Sequence, residues 1–552
     1  MWIEPNGQVK IIRNVDLDNK YDNTIYFASR TAQYNYFNSK VKYSYNKISY
    51  QRIKRNYIRV EINAENLYDC NYLMFQNTSF GSRWFYAFIT KVEYLSNMVS
   101  QIEYEIDVFQ TWFMDCTMGM SFVDREHSVY DTLYSNLIDE QLELGPYYNS
   151  EYKFPRDGGG IPYFNSMSIV FGCTFYYDYD GGGDWVEYGV NDSGGIVSAL
   201  NYITFPNTQA GILKCNDWLD DVTRAGKSEG IVTAFLMPTY FADLMTTPIT
   251  ANPPMRQLAG GVQTQAQTML YTDTHDSTKV GTYTPKNKKL LCYPYKFLHV
   301  TDFHGQDAEY RYEFFGGTAN QFGFRFTMGM TPEPSMIAIP SNYIGNSLNY
   351  NNIFVVKCFP QVGYDIDGFK MWLAQNWGTL ITAEATAVTG LASNFAPNVS
   401  VSEFGNTYGG YPTSFEGGGM NPLSSLGIAF GTMMQIAQHT IMPSYAKNNP
   451  TADAQWVAGL RGFGYCDMHI SPNYAKRIDD FFDKYGYKTN EIKIPNINSR
   501  PHWNFIKTIG ANIFGNIPAD DLKIIKDVFD RGITFWKNGD NIGNYSLDNR
   551  PV

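Results

Sequence analysis

The stretch QIEYEIDV, at residues 101–108, alternates strictly between apolar and polar side chains. Ile102, Tyr104, Ile106 and Val108 fall on one face of an extended chain, and the residues between them are acids or an amide. A period of two is typical of a half-buried strand in an antiparallel sheet. The pattern therefore predicts that this part of the chain builds an antiparallel sheet.

The same pattern recurs on both sides of this stretch. Residues 58–62 and 322–328 alternate in the same way, whereas residues 84–89 and 353–359 are nearly continuous apolar runs, as in strands covered on both faces. The chain also holds 42 Tyr, 37 Phe and 10 Trp, which pack well on pleated surfaces. We expect a mainly β fold with some α, a multi-domain β-barrel or sandwich.

Helical signals are concentrated near the C-terminus. Ser471 and Pro472 suit the start of a helix with apolar residues at helical spacing, and Gly486 suits its C-terminal end. A strand is predicted near residues 491–494. A further helix begins with acidic residues at 520 and 521 and ends at Gly532.

Length and composition indicate several domains. A chain of 552 residues is too long for one hydrophobic core. We predict an N-terminal β-rich domain at 1–150, a middle β-rich part at 151–366, a low-charge segment at 367–446, and a C-terminal α+β part at 447–552. The N-terminus lacks the features of a secretion signal, and seven scattered cysteines predict reduced thiols, so we expect folding in a cytoplasm.

The least typical part of the sequence is residues 371–446. Only three of these 76 residues are charged, Glu384, Glu403 and Glu416, whereas the whole chain is 18% charged. Two helical apolar patterns flank a glycine-rich middle, which predicts an apolar helical hairpin with a flexible tip. Three interpretations remain: a buried core, a plug that fills an assembly, or a sheltered segment that enters a membrane on release.

We favour conditional membrane insertion over the other two interpretations. Residues 423–442 are 20 residues, about 30 Å as a helix, which matches a bilayer core. Polar residues dilute this stretch, so it is a poor permanent span. His439 is a candidate acid sensor, although a spectator histidine is the simpler interpretation. The candidate plug or membrane-inserting residues are Trp372, Trp377, Leu380, Ile381, Val388, Leu391, Leu423, Leu426, Ile428, Phe430, Met433, Met434, Ile436 and Ile441.

Catalytic and metal-binding signals are weak. Cys466 with His469, and His299 with His304, are each half of a metal site, and chance pairing explains them better. The acidic loop that begins at Asp178 lacks the terminal Glu of a calcium loop. No nucleophile elbow, P-loop or zincin helix is present in the sequence. We therefore predict no catalytic residues, no metal, no cofactor and no enzymatic activity.

The chain resembles the tail-knob, or distal tail-tube, proteins of the small short-tailed phages of Gram-positive bacteria. The resemblance covers roughly residues 20–130 and 470–550. It is carried by QYNYFNSK (33–40), YLMFQN (72–77), RWFYAF (83–88), EIDVFQTW (105–112), REH (125–127), FFDKYGYK (481–488), residues 493–495, FDRGITFW (529–536) and DNIGNYS (540–546).

The resemblance implies a virion protein of the distal tail. It implies a hexameric, mostly β tube that conducts viral DNA, with the two chain ends packed together in the wall. It also implies a hydrophobic loop that closes the tube and emerges on infection to perforate the host cytoplasmic membrane. The net charge of −11 agrees with DNA passing without sequence-specific binding. Other tail proteins are expected partners. The alternatives are a cell-wall-degrading tail-tip enzyme or a receptor-binding adhesin.

Overall fold

The computed structural model describes residues 7–48, 56–77, 81, 83–156, 166–178, 184–187, 192–193, 196–197, 200–206, 208–250, 253–258, 267–303, 305–316, 320–332, 334–357, 359 and 462–551. The chain forms two compact units. The terminal unit comprises Met1–Leu144, Tyr283–Leu291 and Pro472–Val552, and the central unit comprises Gly145–Thr282 and Cys292–Ser471. The four predicted domains, with limits at residues 150, 366 and 446, stay a prediction.

The terminal unit combines strands and helices from both ends of the chain. Its described strands are β1 (Gly7–Arg13), β2 (Asn23–Ile25), β3 (Val41–Ile48), β4 (Tyr57–Val60), β5 (Cys70–Asn77), β6 (Trp84–Ser96), β7 (Val99–Ile106), β8 (Cys116–Met118), β9 (Ser121–Glu126), β28 (Tyr487–Lys493), β29 (Trp503–Ile509), β30 (Ile513–Gly515) and β31 (Ile533–Trp536). Its described helices are α1 (Arg30–Ser39), α2 (Val108–Trp112), α5 (Pro472–Tyr485) and α6 (Ala519–Arg531).

The central unit holds the strands from β10 to β27. They are β10 (Tyr147–Asn149), β11 (Met167–Cys173), β12 (Phe175–Asp178), β13 (Asp184–Glu187), β14 (Asp192–Ser193), β15 (Ile196–Val197), β16 (Asn201–Pro206), β17 (Ile231–Pro238), β18 (Thr246–Pro248), β19 (Arg256–Leu258), β20 (Gln267–Thr274), β21 (Lys296–Thr301), β22 (Asp307–Tyr310), β23 (Gln321–Met328), β24 (Met336–Tyr343), β25 (Asn346–Leu348), β26 (Phe354–Val356) and β27 (Gly464–Ile470). Its described helices are α3 (Gln209–Arg224) and α4 (Thr239–Met245). The mainly β prediction is therefore confirmed.

The alternating stretch that predicted a strand forms β7 in a six-stranded sheet of order β3-β1-β5-β6-β7-β4. Ile102 and Tyr104 are buried, as predicted. The predicted strand is wrong at its end, because Asp107 accepts a hydrogen bond from the Gln110 N–H at 3.0 Å and caps α2, so Val108 is helical. The hydrogen bond that caps the first free N–H groups of α2 therefore stabilises the helix more than strand pairing of residues 107 and 108 would stabilise a longer β7.

A five-stranded sheet joins the two ends of the chain in the terminal unit. Its order is β2-β31-β29-β9-β28, so β9 from the N-terminal part lies between β29 and β28 from the C-terminal part. β2 pairs in parallel with β31, with Ile25 opposite Trp536. One hydrophobic core contains side chains from this sheet, from the six-stranded sheet and from α6. It includes Phe109 and Phe529, which come from opposite ends of the sequence.

Three sheets make up most of the described part of the central unit. The order of the first is β17-β11-β16-β19-β18, and α3 packs on it through Trp218, which is fully buried beside Phe171 and Phe205. The second joins β20, β23, β24, β25 and β26, and the third has the order β10-β27-β21-β22. The predicted strand at residues 322–328 is confirmed as β23.

The C-terminal helix predictions are confirmed. α5 begins at Pro472 and ends before Gly486, whose φ of +67° lies in the left-handed region, and α6 ends before Gly532. The strand predicted near residues 491–494 is present as β28, which begins four residues earlier, directly after Gly486.

One strand prediction in the central unit is partly wrong. The apolar run at residues 353–359 predicted one buried strand, but among its described residues only the three of β26 are paired. Ile353 is exposed. An apolar run of this length therefore does not require burial on both faces, because burial depends on which neighbours cover the strand.

Candidate functional site: the base of the low-charge segment

The described strands on either side of residues 360–461 lie at two neighbouring points of the central unit. β26 precedes residues 360–461 and pairs with β24, and β27 follows them and pairs with β21. The ring centroid of Phe354 in β26 lies 5.8 Å from that of Phe463, the residue just before β27. The strands before and after the segment therefore meet at one place in this unit.

Phe463 lies at the centre of an aromatic cluster at this place. It is fully buried, and its ring centroid lies 4.8 Å from that of Phe326 and 5.2 Å from that of Phe324. The alternation of β23 puts both of these side chains on one face of the strand, which is why they meet the same ring. Edge-to-face pairs at such distances add to the stabilisation from burial. This cluster holds the two flanking strands together.

Polar contacts fix β27 immediately beyond the cluster. The hydroxyl of Tyr465 donates to Asp273 Oδ2 at 2.6 Å and also contacts the hydroxyl of Tyr271. Tyr312 donates a hydrogen bond to the carboxylate of Asp467. Burial raises the pKa of Tyr465, so its hydroxyl stays protonated and keeps this donor role. β27 is thus held by the packing of Phe463, which precedes it, and by the hydrogen bonds of Tyr465 and Asp467 within it.

The fourteen predicted plug or membrane-inserting residues lie outside the described residues, as do His439 and both predicted helices of the hairpin. Their role stays a prediction that rests on the sequence. No helix within the described ranges is long and apolar enough to cross a bilayer.

The structure brings two of the candidate metal-binding residues together in a different combination. The register of β21 and β27 places His299 opposite Cys466, with 4.0 Å between Nδ1 and Sγ. Burial raises the pKa of the Cys466 thiol to about 12 and lowers the pKa of His299, so both groups stay neutral. His469 Nδ1 instead lies 2.9 Å from the carbonyl of Ile470. Within the described part of the chain, no three such ligands form a cluster.

A second site lies in the terminal unit, at the REH motif of residues 125–127. Glu126 accepts a hydrogen bond from the Asn496 N–H at 2.9 Å and forms an ion pair with Lys493 at 2.8 Å. Arg125 donates to the carbonyl of Gly486 at 2.7 Å. Each of these partners comes from the C-terminal part of the chain. The motif therefore connects the two ends of the sequence.

His127 completes this connection as a neutral side chain. The Phe505 N–H donates to Nδ1 at 2.8 Å, so Nε2 carries the ring proton and donates to the carbonyl of Asp483 at 3.0 Å. A charged imidazole would lose the acceptor that the Phe505 N–H needs. Burial, with a contribution from the positive charge of Arg500, lowers the pKa of His127 to about 3.

This lowered pKa predicts a specific loss of stability in acid. Between pH 6.5 and 3 the unfolded chain binds a proton at His127 and the folded chain does not, so stability falls as pH falls through this range. The expected slope is about 1.4 kcal/mol for each pH unit. Denaturant unfolding of the native protein and of His127→Gln should show a shallower pH dependence in the variant. Equal slopes would contradict the prediction.

Buried charges lie beside the motif. Glu140 accepts from Lys289 Nζ at 2.6 Å and from the guanidinium of Arg125, and the Lys488 N–H donates to it at 3.1 Å. The side chains of Glu140 and Lys289 are 1% and 3% exposed. The sequence did not predict this network, because Glu140 and Lys289 lie far apart in the chain. Phe463 was also missed, although its aromatic neighbours in β23 were predicted to be buried.

Comparisons with known proteins agree with the resemblance in the sequence. A family model for the C-terminal domain of the Bacillus phage phi29 tail knob protein gp9 matches residues 262–550, and one for the N-terminus of caudoviral major tail proteins matches residues 5–117. The chain is 26% identical to tail knob protein gp9 of Bacillus phage PZA and 26% identical to that of phage phi29, with 98% of each chain covered. The tail knob protein gp12 of bacteriophage C1 has a similar structure, with a TM-score of 0.63 at 15% identity, covering 98% of this chain and 99% of that one.

Proposed function

This chain belongs to the family of phage tail knob proteins, structural components of the virion tail and not enzymes, and from that premise we propose how it acts. Six copies close into a tube that conducts viral DNA. Residues 371–446 plug the tube in the virion. On infection they emerge and perforate the host cytoplasmic membrane so that the genome enters the cell.

The charge pattern of residues 371–446 carries this proposal. Three charged residues in 76 allow the segment to pack in a lumen without burying unpaired charge, and later to enter a bilayer without a large cost. A ring also shelters six such segments from water by packing them together. The aromatic cluster around Phe463 supports the proposal, because it gives a long segment one fixed attachment in the central unit.

Dye release from liposomes tests the membrane step. We expect the full-length protein to release dye between pH 5 and 8, and a variant with residues 371–446 replaced by a short Gly/Ser linker to release little. The apolar segment is the only part removed, so its loss accounts for the difference. Equal leakage from both proteins, or leakage from neither while both still form rings, would contradict membrane perforation.

Two point variants sharpen this test. Leu426→Glu with Phe430→Glu places two charges on the predicted second helix, where a charge at a bilayer centre costs about 2.5–3.5 kcal/mol, and should reduce leakage. Tyr68→Glu introduces a charge at a side chain that is already 71% exposed, and should leave leakage unchanged.

Comparing His439→Gln with the native protein across the same pH range tests whether His439 senses acid. If the pH dependence of leakage is the same in both proteins, the acid-sensor interpretation is excluded.

A further inference from the structure

A small cavity in the terminal unit is lined by residues of β2, α1, α2 and β31. The volume that it opens to a water-sized sphere is about 10 Å³. Three of its lining side chains are polar, those of Thr24, Gln33 and Gln110, and they are 3%, 4% and 5% exposed. Buried polar groups are costly unless they form hydrogen bonds, so each of the three needs partners. The apolar lining residues are Ile25, Phe27, Phe109, Phe113, Met114 and Phe535.

Backbone carbonyls fix the orientation of both glutamine amides at the cavity. Gln33 Nε2 donates to the carbonyl oxygen of Gln110 at 2.6 Å and to Gln110 Oε1 at 2.8 Å. Gln110 Nε2 donates to the carbonyl oxygen of Ile25 at 3.0 Å and to Thr24 Oγ1 at 3.0 Å. Because a carbonyl oxygen can only accept, turning either amide round would break one of these bonds. All four amide hydrogens of the two side chains are therefore in use.

The remaining hydrogen-bonding capacity of these side chains is one donor and two acceptor atoms. Thr24 Oγ1 accepts from Gln110, so the hydroxyl hydrogen of Thr24 still needs an acceptor. Between described residues, no hydrogen bond uses that hydrogen or reaches Gln33 Oε1. Gln110 Oε1 accepts one bond, from Gln33, and has a second lone pair. A partner that accepts once and donates twice would satisfy all three groups.

We propose that the cavity binds one water molecule, which accepts from the Thr24 hydroxyl and donates to Oε1 of Gln33 and to Oε1 of Gln110. Buried water molecules in proteins make about three hydrogen bonds to polar groups that otherwise lack partners. A cavity must open about 10–15 Å³ to a water-sized sphere to hold one water molecule. At about 10 Å³ this cavity has room for one water molecule and not for two.

The lining of the cavity excludes other small ligands. None of the nine lining residues carries a charge, so an anion or a metal ion would be buried there without a counter-charge. An organic molecule is larger than the space available. Cavities that stay dry are apolar, whereas three polar side chains line this one.

The bound water gives two residues of the sequence motifs a shared structural role. Gln33 begins the stretch QYNYFNSK and lies in α1, and Gln110 belongs to EIDVFQTW and lies in α2. Thr24 lies in β2. The water therefore completes a hydrogen-bond network that joins three elements of the terminal unit at the edge of its hydrophobic core.

A structure of the full-length protein at a resolution that shows ordered water tests the site. We expect one peak in the cavity, about 2.7–3.2 Å from Thr24 Oγ1 and from the Oε1 atoms of Gln33 and Gln110. An empty cavity would overturn the proposal. A Thr24 hydroxyl that donates directly to Gln33 Oε1 would overturn it as well, because the water would then have no donor to accept from.

Two substitutions of Thr24 give a second test. Thr24→Val replaces the hydroxyl with a methyl group of similar size, whereas Thr24→Ser keeps the hydroxyl and is the matched control. We expect the water peak to be lost in Thr24→Val and kept in Thr24→Ser. Hydrogen exchange in β2 and α2 should be about tenfold faster in Thr24→Val than in Thr24→Ser, because hydrogen bonds of the network are lost.

The outcomes of this comparison are distinct. A water peak of full strength in Thr24→Val would show that the hydroxyl does not hold the water, and equal exchange rates in the two variants would contradict the network. Gln110 Nε2 keeps the carbonyl of Ile25 as an acceptor in both variants. Should Thr24→Val fail to fold, the native and Thr24→Ser structures still decide whether the water is bound.

Discussion

Glu140→Ala is expected to lower the free energy of unfolding of the terminal unit by about 3–5 kcal/mol. The substitution removes the carboxylate that accepts from Lys289 and Arg125, and it takes a negative charge away from the Lys289 ammonium, whose side chain is only 3% exposed. Loss of one partner of a buried ion pair is costly for this reason, whereas loss of an exposed pair is not. Denaturant unfolding at pH 7, with hydrogen exchange at β9 and β28, measures the change.

Two further variants separate the lost charge from the lost contact. Adding Lys289→Met to Glu140→Ala removes the buried positive charge as well and should restore a large part of the stability. Arg224→Ala breaks the exposed pair with Asp221 and should change stability by no more than about 1 kcal/mol. A cost below about 1 kcal/mol for Glu140→Ala would show that the buried network does not stabilise the unit.

Phe463→Ala is expected to destabilise the central unit by a similar amount, about 3–5 kcal/mol. The substitution removes a fully buried ring and leaves a cavity among Phe324, Phe326 and Phe354. Hydrogen exchange should quicken in β23 and β27 before it does in the terminal unit, because those strands carry the contacts. The measurement is exchange under native conditions together with denaturant unfolding.

A graded series makes this prediction sharper. Phe463→Leu keeps most of the volume and should cost less than Phe463→Ala. Tyr350→Ala changes a side chain that is 65% exposed and should stay within about 0.5 kcal/mol. If Phe463→Ala matched the Tyr350 variant, the aromatic cluster would not be what fixes the two ends of the low-charge segment.

Local patterns were enough to predict elements whose burial has a regular period. β7, β23, α5 and α6 each show a period of two or of about 3.6 residues, and each was found near its predicted position. Their ends were harder to predict, as Val108 shows, because a cap of one residue competes with the alternation that precedes it. Burial of the strand at residues 353–359 also depends on its neighbours, which no local pattern specifies.

The contacts that join distant residues could not be predicted in this way. Glu140 and Lys289 meet because an irregular stretch and a short 3-10 helix, Lys288–Leu291, converge, and no local pattern marks either residue. The REH motif contributes to the family resemblance, but its partners in β28, β29 and α5 are visible only in the structure. The candidate membrane-inserting residues rest on a different kind of signal, the scarcity of charge, which requires no contact partner.

The parallel pairing of β2 with β31 has a consequence for synthesis. The strand partner of Asn23 is Thr534, which is translated long after it. The five-stranded sheet therefore cannot form on the ribosome until the chain has emerged as far as β31, and such non-local pairing slows folding. A chain terminated before β28 would lack three strands of this sheet and could not build the terminal unit. Fragments that end before β28 are therefore expected not to form this sheet.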